Sequence, residues 1–117
     1  MTDIPDSNNV YGCVTSLDGL AFVRDAVNKL EEVNEAFISV SGCDGSESLI
    51  LKSDLIDFES EPLENGQHLL NGAVAGSINE IISFVGKLSH TLSEAGIEHH
   101  FEIYNAEELI KEIPGSN

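Results

Sequence analysis

Positively charged residues are scarce in this sequence. Five Lys and Arg stand against 21 Asp and Glu, for a formal net charge of −16 at pH 7. The shortage argues against a nucleic-acid binder, which needs cationic side chains to neutralise phosphate. It argues equally against docking on anionic membrane surfaces. Tryptophan is absent, and with five Phe and two Tyr the interior must rest on aliphatic residues. No apolar run approaches the ~18–20 residues of a membrane span. The start, Met1-Thr-Asp-Ile-Pro-Asp6, lacks the basic and apolar regions of a signal peptide, so a cytoplasmic location with reduced thiols is expected. Cys13 and Cys43 are the two cysteines, in no metal-binding spacing. Buried thiols and a disulfide both stay open for them.

Motifs that carry chemistry are also missing. There is no G-x-S-x-G elbow for a nucleophile and no calcium loop of the D-x-[DN]-x-[DN]-G form. Gly72-Ala-Val-Ala-Gly76-Ser77 precedes a helix pattern but lacks the lysine of a phosphate-binding loop. The histidines are His68, His90, His99 and His100. Adjacent strand residues point to opposite faces, so His99 and His100 cannot ligate one ion together. No metal, no cofactor and no catalytic residue is expected, and the chain reads as a non-enzyme.

What is present fits one domain of 117 residues. Residues 1–9 read as a flexible end and Val10–Thr15 as a short strand. An amphipathic helix follows, with Ser16 as N-cap and Leu20, Val23, Ala26, Val27, Leu30 and Val33 on one side. Asp25 and Lys29 form an i,i+4 pair on its other side. Residues 36–41 and 48–52 alternate as a hairpin. Residues 59–76 read as a loop-rich insertion, because Pro62, Asn65-Gly66, Gly72 and Gly76 interrupt them. Ser77 and Glu80 form a capping box at the head of a second helix, which Gly96 stops. Residues 98–104 alternate as a strand, and Asn105 caps a last short helix. The fold class is therefore α+β, an antiparallel sheet with two main helices on one face. With residues 10–15 as a strand, the order is βαββαβ, the ferredoxin-like arrangement, plus a C-terminal helix.

Two surfaces are candidates for function. The acidic segment 44–64 holds Asp44, Glu47, Asp54, Asp57, Glu59, Glu61 and Glu64 against one Lys52, a composition that fits either a solvated loop and edge or a docking surface for a basic groove. The uncovered sheet face carries Phe37, Ile50, His100, Glu102 and Tyr104, an apolar centre among polar neighbours suited to an adaptor or assembly subunit. A small-molecule or enzymatic pocket near His68 and the 72–76 turn is a third reading.

In size, charge and cytosolic character the chain resembles the small acidic immunity proteins of bacterial toxin systems. The likeness spans the whole chain and rests on no motif, so no residue is carried over. It implies a protein that neutralises a basic partner, most naturally a nuclease-like toxin domain whose cationic groove carboxylates can occupy.

Overall fold

The computed structural model describes residues 4–115. The elements are β1 (Val10–Thr15), α1 (Leu20–Val27), β2 (Glu35–Val40), β3 (Glu47–Lys52), β4 (Ile56–Pro62), β5 (Gln67–Val74), α2 (Ile78–Glu94), β6 (Glu98–Asn105) and β7 (Glu108–Gly115). The strands form one seven-stranded sheet in the order β2-β3-β4-β5-β1-β6-β7, and every neighbouring pair is antiparallel. No helix among the described residues is long and apolar enough to cross a membrane.

This overturns the ferredoxin-like βαββαβ arrangement, and local chemistry explains why. The stretch expected to be a loop-rich insertion, residues 59–76, is instead most of a hairpin. Asn65 (φ 58°) and Gly66 (φ 77°) both take the left-handed conformation of its turn, which Asn-Gly adopts readily. Ser60 and Gly72 interrupt the apolar alternation on the two strands, yet both face inward. Ser60 Oγ accepts from Leu49 N at 2.8 Å, standing in for a ladder carbonyl. Gly72 pairs with Phe58 and leaves room for its ring, since a Cβ there would come within 2.4 Å of Phe58 Cγ.

The expected C-terminal helix is also a strand. β7 pairs with β6 from Asn105↔Glu108 to His99↔Gly115, so Asn105 ends a strand instead of capping a helix. Ala106 holds φ 57° in the tight turn, a position where Asn or Gly is the usual signal.

The first helix is shorter than its apolar period. Its N-cap is Gly19, and Ser16 is buried, with Oγ donating to Gly19 O at 3.0 Å. After Val27 the chain continues in turns that still direct Val33 into the core and Leu30 against it. The helical spacing therefore outlasts the helix. Asp25 pairs with Arg24 at 3.1 Å, not with Lys29. The N-terminal end is anchored at Asn9, whose side chain accepts from Val74 N and donates to Val74 O, each at 2.9 Å.

α2 begins where the sequence predicts. Ser77 Oγ accepts from Glu80 N at 3.2 Å, and Glu80 Oε1 accepts from Ser77 N at 2.9 Å. Ile81, Phe84, Val85, Leu88 and Leu92 are buried along its inner face. With Leu20, Val23 and Val27 of α1 they cover one face of the sheet, meeting Val10, Val14, Leu49, Leu51, Phe58, Leu70, Phe101 and Ile103. Each fully buried aliphatic or phenyl side chain contributes ~1.5–3 kcal/mol. Both helices lie on this side, which leaves the opposite face of the sheet as the candidate site.

Candidate functional site

Alternation places every second strand residue on the open face, and register sets their neighbours. One row runs Phe37↔Ile50↔Glu59↔Asn71 from β2 to β5, and continues Tyr11↔Glu102↔Glu112 from β1 to β7. Asn71 joins the two halves, its Oδ1 accepting from Gly12 N at 3.1 Å. Phe37, Ile50, His100, Glu102 and Tyr104 thus do share the open face, but they do not form one apolar centre. β4, β5 and β1 stand between the first two and the last three.

The acidic segment divides in a similar way. Asp57, Glu59 and Glu61 alternate outward along β4, all exposed, about 6.7 Å apart by strand rise. With Asn8 and Asn71 they line a recess of about 280 Å³. Asp54 and Glu64 lie in the turns at either end of that strand, and Glu47 starts β3 opposite Val40. Asp44 belongs to the β2–β3 turn. Its carboxylate accepts from Ser46 N at 2.9 Å, and bonds from Ser46 and then Ser41 hold its pKa below the ordinary value.

The other half of the face is mixed. Tyr11 and Tyr104 meet edge to face with centroids 5.5 Å apart. Tyr104 Oη donates to Glu102 at 3.5 Å. Partial burial, and then the Glu102 and Glu112 carboxylates, push its phenol pKa up. His100 Nε2 lies 3.8 Å from Glu112 Oε1. His100, Glu102 and Glu112 each offer one ligand atom, all within 4.8 Å of one another, but they are solvent-accessible and acidic groups often gather so without an ion. Cys13 lies opposite His100 across β1 and β6. Cys43 is exposed in the β2–β3 turn, and both thiols are free.

The sign of the face follows from where the cations fall. Arg24 and Lys87 are on the helices and Lys29 follows α1, while Lys111 pairs with inward-facing Ile103. Lys52 alone among Lys and Arg points to the open face, in register between Glu35 and Asp57. Glu59, Glu61, Glu98, Glu102 and Glu112 then have no Lys or Arg opposite them in register among the described residues. On the helical side Lys87 Nζ meets Glu32 at 2.6 Å, which lowers the Glu32 pKa and raises that of Lys87.

Catalytic alternatives fare less well. Ser89 Oγ and His99 Nε2 lie 2.6 Å apart, the pairing of a nucleophile and its base. Both are buried, at 8 % and 6 % exposure, so a substrate has no approach to the hydroxyl. His99 Nδ1 bonds to Ile97 O at 2.9 Å. A carbonyl only accepts, so Nδ1 carries a proton, and in the neutral ring Nε2 then accepts from Ser89. The pair joins α2 to β6. His68 faces the helices opposite Val14, its pKa lowered by burial and its buried Nδ1 without a hydrogen-bond partner among the described residues. The recess at the Gly76 turn, about 550 Å³, is lined by Asn9, Ser77, Ile81 and Tyr104 among others but not by His68, so the expected pocket does not assemble.

Comparison with known protein families, curated proteins and solved structures yields no match for this chain.

Proposed function

We propose that this chain is a binding protein that docks a cationic partner protein on its open sheet face. The observation that carries the reading is the partition of charge. On the helical layer Arg24 meets Asp25 and Lys87 meets Glu32, whereas the sheet face presents Asp57, Glu59, Glu61, Glu102 and Glu112 with Lys52 as its one Lys or Arg among the described residues, itself flanked by carboxylates. A face dominated by one sign accelerates encounter with an opposite field and rejects partners of like charge.

The finer proposal is an immunity protein that neutralises a nuclease-like toxin. A nuclease groove is built to hold phosphates, and the outward carboxylates of β4 would imitate a row of them. An adaptor role is the alternative, favoured by the tyrosine pair and by Phe37 beside Ile50 on the same face.

The test is capture from the cell of origin on the immobilised chain, beside a triple variant with Asp57→Asn, Glu59→Gln and Glu61→Gln. A basic protein retained by the wild type, released by salt and lost by the variant is the expected result. A partner held equally by both forms at high salt would refute electrostatic docking. For the toxin reading, the captured protein should degrade nucleic acid alone and fail to do so in the complex.

A further inference from the structure

Leu17 is 85 % exposed, more than any other large apolar side chain among the described residues, and the loop that carries it is fastened in place. Ser16 N donates to Gly66 O of the β4–β5 turn at 2.8 Å, and Gly19 N reaches back to Ser16 O at 3.4 Å. Gly66 (φ 77°) lies against the leucine, and a Cβ there would come within 2.7 Å of Leu17 Cδ2. Beside it Phe22 is 42 % exposed at the start of α1. The two line a recess of about 280 Å³ together with Asp18, Ile97 and Glu98, and no lysine or arginine lines it. Thr15 and Glu98, opposite each other across β1 and β6, belong both to this recess and to the end of the open face. The two surfaces are therefore continuous.

We infer that this tip is the apolar anchor of the docking surface, seated in an apolar socket with a basic rim on the cationic partner. The inference rests on the docking reading above and assigns separate tasks to the two regions. The carboxylate face governs encounter and register, and the leucine, once desolvated, governs how long the complex lasts. A second copy of this chain is an unsuitable occupant, because it would bring Asp18 and Glu98 against the same carboxylates. An anchor on a fastened loop loses little conformational freedom on binding, which favours affinity.

The test uses the full chain, labelled with ¹⁵N and titrated with two short synthetic peptides of equal positive charge. One peptide is built of lysine and leucine and the other of lysine and serine. Both should shift the amides of Glu59, Asn71 and Glu102 at low salt. Only the leucine peptide should shift those of Leu17, Phe22 and Ile97, and these shifts should persist at about 1 M salt, where the screening length is ~3 Å. Leu17→Ser should weaken the leucine peptide about fivefold and leave the serine peptide unchanged. Leu17→Ile, which keeps the apolar volume, should bind like the wild type. A leucine peptide that shifts the sheet face alone, or an inert Leu17→Ser, overturns the anchor and leaves the docking face standing. Failure of both peptides to shift the sheet face at low salt overturns the docking reading and the anchor with it.

Discussion

Glu102 stands directly opposite Glu112 across the β6–β7 ladder, and His100 Nε2 reaches to 3.8 Å from the Glu112 carboxylate. Like charges so placed oppose folding, by ~0.2–1 kcal/mol in cross-strand pairs. Glu112→Gln should therefore raise the urea midpoint by the equivalent of about 0.5 kcal/mol with no change in slope. Salt should narrow the difference between the two proteins. A lower midpoint would mean that the histidine contact outweighs the repulsion.

The inner face depends on an aromatic ring filling the space over a glycine. Gly72→Ala would drive a methyl into the Phe58 ring and should cost ~1–3 kcal/mol, as overpacked cores do. Combining it with Phe58→Leu should cost less than the sum of the two single changes, a coupling that a double-mutant cycle measures. Strict additivity would show that the strand moves aside instead.

Removing the Ser89 hydroxyl leaves the buried His99 Nε2 without a donor. Ser89→Ala should cost ~1–3 kcal/mol on that account. Nitrogen chemical shifts of the imidazole should report the Nδ1–H tautomer in the wild type. An Nε2–H tautomer would contradict the hydrogen-bond direction assigned from the Ile97 carbonyl.

The capping box makes a pH-dependent contribution. The Ser77 backbone N–H, and then its hydroxyl, hold the Glu80 carboxyl below its ordinary pKa of 4.5. Because the folded-state value is depressed, the stabilisation is complete above pH 4.5 and fades as pH falls through the lowered value. Ser77→Ala should cost ~1 kcal/mol near neutral pH, and the gap from the wild type should shrink in acid. A gap that is constant down to acid pH would place the effect in the serine alone.

How much of this was legible in the sequence depended on whether local chemistry and tertiary context agreed. At α2 they agreed, since Ser77, Glu80 and Gly96 act within a few residues of themselves. The outward position of Phe37, Ile50, His100, Glu102 and Tyr104 also followed from alternation. Their separation did not, because β1 is inserted between β5 and β6 and no local pattern announces that. In β5, Gly72 reads as a breaker until Phe58 is known to lie over it. In β7, Leu109, Ile110 and Ile113 carry helical spacing, and pairing with β6 overrode it. Reading that segment as a helix also hid Glu112, and with it the acidic cluster around His100. Tyr11 and Asn71 were missed for the same kind of reason. Their positions on the face come from register, not from residue type.

The central place of β1 also bears on how the chain acquires its structure. β2, β3, β4 and β5 pair in sequence order, so each ladder forms across a short turn. β1 must find β5 across more than fifty residues and β6 across more than eighty, as the pairs Thr15↔Gln67 and Thr15↔Glu98 require. Loop closure over such spans is slow and unfavourable in entropy. On a ribosome, the first strand emerges with neither neighbour yet made. Its inward residues, Val10 and Val14, stay wet until the hairpin of β4 and β5 is complete. Docking of β1 is then the late, long-range step that joins the meander to the C-terminal hairpin, and synthesis must pass α2 before the sheet can close.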